Sequence, residues 1–132
     1  MKTVHVSGKR KRAVARATVA EGTGIVRINA QLLEHYATPF ARMKIQEPLV
    51  LAGELAHKVN VNVRVRGGGQ ISAAEAVRLT IARGLVEFAG RGPLRQRFLD
   101  YDRNLLVQDV RRGEPSKPGD SKPRARRQKS YR

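Results

Sequence analysis

The sequence contains no cysteine and no tryptophan, and aromatic residues make up only 5% of its 132 positions. Without cysteine the chain cannot form disulfides, cysteine zinc sites or a catalytic thiolate. The few aromatic side chains predict a core of small aliphatic residues. Its three histidines, His5, His35 and His57, are scattered and show no metal-ligand spacing, so we expect no metal and no cofactor.

Long apolar runs are also missing. The first seven residues have no apolar core of signal-peptide length. The longest mainly apolar stretch, Ser72 to Ala89, is interrupted by four charged residues, whereas a membrane span needs about 20 apolar residues in succession. We therefore expect neither an export signal nor a membrane partner.

Acidic residues are scarce at both ends of the chain. The sequence has 27 Lys and Arg against 11 Asp and Glu, a net charge of +16. Residues 1–16 carry +6 with no acidic residue, residues 111–132 carry +7, and the long middle carries only +3. An excess of this size repels itself and predicts a polyanionic partner.

The last 22 residues differ from the rest in composition. Three prolines and two glycines interrupt them, and their only apolar side chains are Ala125 and the ring of Tyr131. Such a segment cannot bury enough apolar surface to offset the entropy lost on ordering. We predict a globular domain over residues 1–110 and an extended basic tail over residues 111–132 that orders against a partner.

Alternation of apolar and polar residues predicts strands in the first half of the chain. Strand signals occur at residues 3–7, 13–20 and 25–28, and the glycine turn between the last two predicts a hairpin over residues 13–28. The clearest strand is 58–66, where valines at every second position oppose polar and cationic residues.

The clearest helix follows that strand. Ser72 and Glu75 match a capping box and predict its first turn. Its apolar face consists of Ala74, Val77, Ile81, Leu85 and Phe88. Arg78 and Arg83 interrupt the apolar stretch, and we expect their replacement by Ala to destabilise the free protein far less than replacement of Ile81 or Phe88.

Two further helical pieces are predicted on either side of Pro48, and another helix near Pro93. Strands followed by helices indicate an α+β fold. We predict a small mixed sheet with helices packed on one face, plus a long extended C-terminal tail.

Two kinds of segment are candidates for binding anions. The glycine run 67–69 precedes the long helix but lacks a nucleotide-binding signature, so a turn that ends the strand is favoured and approach to an RNA backbone stays open. The consecutive cations at 9–12 and the basic end at 122–132 need counterions. A solvated basic face would account for either cluster alone, whereas the two together favour phosphate binding.

These segments, taken in order, resemble the ninth small-subunit ribosomal protein family. The resemblance runs nearly end to end and includes residues 8–11, 13–16, 22–29, 65–70, 73–76, 82–85, 109–114, 117–119 and 125–132. The ending Ser130-Tyr131-Arg132 resembles the archaeal and eukaryotic branch, because the bacterial branch usually ends in Ser-Lys-Arg.

The resemblance implies a fold similar to the second domain of the fifth small-subunit ribosomal protein. It implies a structural constituent of the small subunit in the cytoplasm, not an enzyme, and no small-molecule substrate. The expected partners are small-subunit rRNA in the head, neighbouring ribosomal proteins of the head, and the anticodon stem-loop of P-site tRNA, which the tail reaches.

The same resemblance, with the charge distribution, supplies the candidate site residues. We expect rRNA to be bound by Lys9, Arg10, Lys11, Arg12, Arg16, Arg64, Arg66, Gly67, Gly68, Arg111, Arg112, Lys117, Lys122, Arg124, Arg126 and Arg127. We expect tRNA to be bound by Lys129, Tyr131 and Arg132.

Two other classes of function are considered: composition alone permits a DNA-binding protein, and the glycine run, with sheet folds of this kind in metabolite kinases, suggests a small kinase-like enzyme. A DNA-binding or chromatin-type protein would need a helix that gathers base-reading side chains on one face, and no helix here does so. A small kinase-like enzyme would need a convergent catalytic set, which we do not find. The nucleic acid that co-purifies at high salt would separate these classes from an rRNA-binding protein.

Overall fold

One mixed sheet, backed by three α-helices, organises the described part of the chain. A computed structural model describes residues 2–90, 92–119 and 122–125. The strands are β1 (Thr3–Arg10), β2 (Ala13–Glu21), β3 (Val26–Ile28), β4 (Gln31–Leu32) and β5 (Val59–Arg66). The α-helices are α1 (Pro39–Ala52), α2 (Gln70–Ala89) and α3 (Pro93–Tyr101), with short 3-10 turns at 33–35, 53–58 and 103–105.

The strand order is β1-β2-β5-β3-β4, and all neighbours are antiparallel except β3 and β5. The predicted hairpin over residues 13–28 is therefore wrong, because β2 pairs with β1 and β5 lies between β2 and β3. The glycine turn crosses the start of β5 instead. Gly22 donates to the carbonyl of Lys58, and Asn60 Oδ1 accepts from the amides of Thr23 and Ile25 at 2.9 and 3.1 Å. In the central position, the long valine strand β5 pairs with β2 on one side and with β3 on the other. The three-residue β3 is too short to pair along the length of β2.

The core lies between one face of this sheet and the helices. Ala15, Ala17 and Val19 of β2 and Val61 and Val63 of β5 are buried on that face. Helix α2 packs on β1, β2 and β5 and is covered by α1 and α3. The predicted α+β fold with helices on one face is confirmed.

Close approach of α2 to the sheet depends on Gly84. A Cβ built there would lie 2.7 Å from Val19 Cγ2 and 3.2 Å from Val6 Cγ2. The helix pays for this contact with the lower helix propensity of glycine.

Two predicted helix starts are wrong. Helix α2 begins at Gln70 with Gly69 at its N-cap and no side-chain cap, so Ser72 lies inside its first turn. Glu75 pairs with Arg10 and Lys44 instead of closing a capping box. The second is the separate helix predicted to start at Pro48. Helix α1 begins at Pro39 and continues through Pro48, which is buried against the core.

Within residues 2–90, 92–119 and 122–125, no helix combines the length and the apolar composition that crossing a membrane requires.

Candidate nucleic-acid interface

The side of the sheet that faces away from the helices, the open face, is strongly cationic. Strand alternation places five cations there: Lys9 of β1, Arg16 of β2, Arg27 of β3, and Arg64 and Arg66 of β5. All five are exposed, and none of the strand residues that share this face is acidic. Among the described residues, none of the five lies within ion-pair distance of a carboxylate.

The register concentrates this charge at the centre of the sheet. Arg16 stands directly opposite Arg64, and Arg27 is level with the neutral Asn62. Like charges in directly opposite positions destabilise a sheet. The neighbouring His5 and Thr18 are hydrogen-bonded to each other at 3.2 Å, and neither side chain can supply negative charge to the arginines. An anion on the open face would relieve this repulsion.

Two shallow grooves mark the open face. One is lined by His5, Arg16, Arg27 and Arg64, and the other extends past Arg66 to the β1–β2 turn. Both grooves share Arg16 and Arg64, so they form one continuous basic surface. Such a surface suits the phosphates of a nucleic acid, which present negative charge at regular intervals.

The glycine run ends β5 and packs against the β1–β2 turn. Gly67 and Gly68 have φ of 80° and 70°, a region that favours glycine. A Cβ at Gly67 would lie 2.6 Å from the carbonyl oxygen of Arg12, and one at Gly68 would lie 3.0 Å from Ala13 Cβ. This internal contact supports the interpretation as a strand-ending turn and accounts for the glycines without a nucleotide. Their expected contact with rRNA stays a prediction.

The segment at residues 109–112, which we call the tail root, returns to the β1–β2 turn. Arg112 Nη1 donates to the carbonyl oxygen of Lys11, 101 positions away in the chain. A groove beside this contact is lined by Lys11, Arg12, Arg112 and the glycines of the β5–α2 turn. The fold thus brings together the two basic ends that the sequence shows separately.

Apart from Gly67 and Gly68, the residues predicted to bind rRNA or tRNA fall into three groups. Exposed side chains are found at Lys9, Lys11, Arg12, Arg16, Arg64, Arg66, Arg111, Arg112, Lys117, Lys122 and Arg124. Arg10 is different, because its side chain is only 15% exposed and engaged by carboxylates. Arg126, Arg127, Lys129, Tyr131 and Arg132 lie outside the described residues.

Two of the exposed arginines already have acidic partners. Arg111 pairs with Asp109 at 2.7 Å, and Arg124 pairs with Glu114. Hydrogen bonds from the side chain and the amide of Arg111 hold the pKa of Asp109 well below its usual range. Asp109 is therefore ionised at neutral pH and offsets part of the charge of the tail root.

Sequence reasoning missed Arg27. The alternation Val26-Arg27-Ile28 predicts a strand whose arginine faces away from the core. What the sequence did not show is that β3 lies beside β5, which places Arg27 on the same open face as Arg64.

Two arginines of α2, Arg78 and Arg83, form a second group of polar contacts. Arg78 of α2 contacts Glu47 of α1 at 2.7 Å and Asp102 at 3.1 Å. Arg83 donates to the carbonyl oxygens of Leu106 and Ser7 at 3.0 and 3.1 Å. These contacts give both arginines structural partners in the free protein, and the smaller cost of replacing them, compared with Ile81 or Phe88, stays a prediction.

In the part of the chain that the structure describes, no three His, Asp or Glu side chains cluster as metal ligands would.

Comparison with known proteins places the chain among ribosomal proteins. Residues 8–132 match the family described as ribosomal protein S9/S16. The chain is 50% identical over 134 aligned positions to the small ribosomal subunit protein uS9 of Methanococcus vannielii, with both chains covered completely. It is 49% identical, again over the whole of both chains, to the proteins of that name in two strains of Methanococcus maripaludis, C7 and S2. The chain therefore belongs to the ribosomal protein S9/S16 family.

Proposed function

We propose that this protein binds small-subunit rRNA through the open face and the β1–β2 turn, and contacts P-site tRNA with its C-terminal residues. Membership of the family makes it a structural constituent of the small subunit of the cytoplasmic ribosome and not an enzyme. Its relatives in Methanococcus are consistent with a C-terminal sequence that resembles the archaeal and eukaryotic branch. The rRNA and tRNA contacts go further than family membership and need their own support.

The observation that carries the rRNA proposal is the cationic open face. Arg16 and Arg64 stand opposite each other with no carboxylate in reach among the described residues. Repulsion between the two arginines destabilises the folded protein. Phosphate groups that bind there would relieve the repulsion and so contribute to the free energy of binding. The strand residues of the open face include no Phe, Tyr or Trp, and His5 is the one ring among them on which a base could stack, which favours contact mainly with the RNA backbone.

The meeting of the two basic ends supports a second contact region. Lys11 and Arg12 lie beside Arg112 at one end of the sheet. From the tail root onward, about 20 residues remain, and an extended chain of that length spans at most roughly 70 Å. The tail is thus long enough to leave the rRNA contact and reach a separate ligand. We also expect neighbouring ribosomal proteins of the small-subunit head to contact this protein.

The rRNA proposal is tested by competition binding. Labelled small-subunit rRNA bound to the protein is challenged with duplex DNA of equal nucleotide content at fixed salt. We expect rRNA to be retained, because folded RNA presents phosphates in positions that the rigid open face can match. Equal displacement by DNA would show a general affinity for polyanions and would overturn the proposed specificity.

The tRNA proposal is tested with reconstituted small subunits. Deletion of residues 129–132 should leave the protein in the subunit, since the domain supplies the rRNA contacts, but should weaken the binding of P-site tRNA. The matched control replaces Lys122 and Arg124 by Gln, which removes two tail charges and keeps the C-terminus. Normal tRNA affinity after the deletion would contradict the proposed tail contact.

A further inference from the structure

Arg10 differs from the other cations of its cluster. Lys9, Lys11 and Arg12 are exposed, whereas the side chain of Arg10 is 15% exposed and points to the helix side of the sheet, opposite Ala13 in register. Its Nε donates to Glu75 Oε2 of α2 at 2.7 Å. Its Nη1 lies 3.4 Å from Asp109 Oδ2 of the tail root. Arg10 thus stands between the domain and the tail.

Two further hydrogen bonds hold the chain on either side of Asp109 against the domain. Arg112 of the tail root donates to the carbonyl oxygen of Lys11, the residue after Arg10. Arg83 holds the carbonyl of Leu106 at 3.0 Å. The chain that leads into the tail is therefore held at successive points against β1 and α2.

We propose that Arg10 is a positioning residue: it links Asp109 of the tail root to Glu75 of α2, and so sets the place and direction in which the tail leaves the domain. In this role Arg10 does not bind RNA phosphate, unlike its neighbours in the sequence. The consequence for tRNA rests on the proposed function of the tail, whereas the anchoring is a property of the free protein.

The surroundings of Arg10 separate anchoring from folding. Without its guanidinium, Glu75 keeps Lys44 at 3.1 Å, and Asp109 keeps Arg111 at 2.7 Å. Both carboxylates therefore retain a cation, so neither becomes a lone buried charge. What disappears is the connection between them. The Nη1 atom is buried and has no hydrogen bond within the described residues, so the link to Asp109 is an ion pair without a formed hydrogen bond.

The absence of native cysteine makes a direct test simple. Nitroxide labels are attached to cysteines introduced at two exposed positions, Gln46 of α1 and Val110 of the tail root. The distance distribution is measured by pulsed electron resonance in the free protein. We expect a narrow distribution in the parent and at least a twofold broader one in Arg10→Gln. The matched control, Arg12→Gln, removes a neighbouring exposed cation and should leave the distribution narrow.

Binding of small-subunit rRNA gives the opposite pattern. Arg12→Gln should lower the magnitude of the log–log salt slope by about 0.7–0.9, the value for one phosphate contact, and Arg10→Gln should leave the slope unchanged. Arg10→Lys should restore the width only in part, because one ammonium cannot bridge two carboxylates as a guanidinium does. If Arg10→Gln does not fold, Asp109→Asn breaks the same link from the tail side and should broaden the distribution.

The outcomes distinguish the two proposals. A distribution as narrow in Arg10→Gln and Asp109→Asn as in the parent would overturn the anchoring role, as would a slope loss in Arg10→Gln equal to that in Arg12→Gln. If neither substitution alters rRNA binding while the distribution broadens, anchoring stands and the proposed rRNA contact at this turn fails.

Discussion

Removing the arginine pair of the open face should change how rRNA binding depends on salt. Replacing Arg16 and Arg64 by Gln keeps two polar side chains of similar length on neighbouring strands and removes two of the five cations on that face. Each phosphate contact contributes about 0.7–0.9 to the log–log salt slope. The five cations together account for a slope of roughly −3.5 to −4.5, and the double variant should be flatter by about 1.4–1.8.

This change in slope is large enough to measure. Between 50 and 200 mM salt, the ratio of parent to variant affinity for small-subunit rRNA should shrink by about tenfold. Filter binding or fluorescence anisotropy over that range gives the slope directly. The free variant should unfold at the same free energy or be more stable by up to about 0.5 kcal/mol, because a cross-strand like-charge pair has been removed. Loss of affinity therefore cannot be ascribed to unfolding.

A charge-matched control decides whether position matters. Arg95 of α3 and Arg103 after it are exposed and lie away from the open face. Replacing both by Gln removes the same total charge and should leave the slope nearly unchanged. An equal flattening in the control and in the Arg16/Arg64 variant would refute the reasoning, since rRNA would then respond to net charge and not to this surface. An unchanged slope in the Arg16/Arg64 variant would refute it as well.

Three further predictions concern the free protein. Arg78→Ala should destabilise it by about 1–3 kcal/mol in urea unfolding, because two partly buried carboxylates lose their common partner, while Arg95→Ala should cost less than about 0.5 kcal/mol. Gly84→Ala should be destabilising by roughly 1–2 kcal/mol, since crowding of Val19 at 2.7 Å outweighs the gain of about 1 kcal/mol in helix propensity; a stabilised variant would show that α2 can move away. The pKa of Asp109 is lower in the folded protein than in the unfolded chain, so the ionised carboxylate stabilises the folded state fully at pH values above about 4, the ordinary carboxylate pKa. This stabilisation is lost as the pH falls from there towards the pKa of Asp109 in the folded protein. Carboxyl NMR titration should therefore show Asp109 ionised at pH 3, and a normal titration midpoint would contradict its ion pairs.

Glu75 of α2, the other carboxylate that Arg10 contacts, also has a lowered pKa. Burial alone would raise its pKa, but hydrogen bonds from Arg10 and Lys44 lower the pKa below its usual value. The two carboxylates that Arg10 links are thus both ionised at neutral pH. Because Arg10 joins them in series, protonation of either carboxylate breaks the link between α2 and the tail.

Local patterns in the sequence predicted much of the secondary structure. The valines at every second position of β5 and the apolar period of α2 are properties of neighbouring residues, and both elements are present, although α2 begins at Gln70, before the predicted Ser72. The capping box was wrong because Glu75 is drawn to Arg10, 65 positions away. Pro48 did not end α1, because burial of that residue against the core offsets the loss of one amide donor.

The small aliphatic core, the α+β class, the positive charge at the two ends and the family could all be inferred from the order of the amino acids. These follow from residue types and short spacings, which do not depend on how distant segments meet. The position of β5 between β2 and β3 could be seen in the folded structure alone, because strand order depends on long-range pairing and not on alternation. That order places Arg16, Arg27 and Arg64 on one open face. It also turns Arg10 towards Glu75 and Asp109 while its neighbours face solvent, since one position along a strand exchanges the two faces of a sheet.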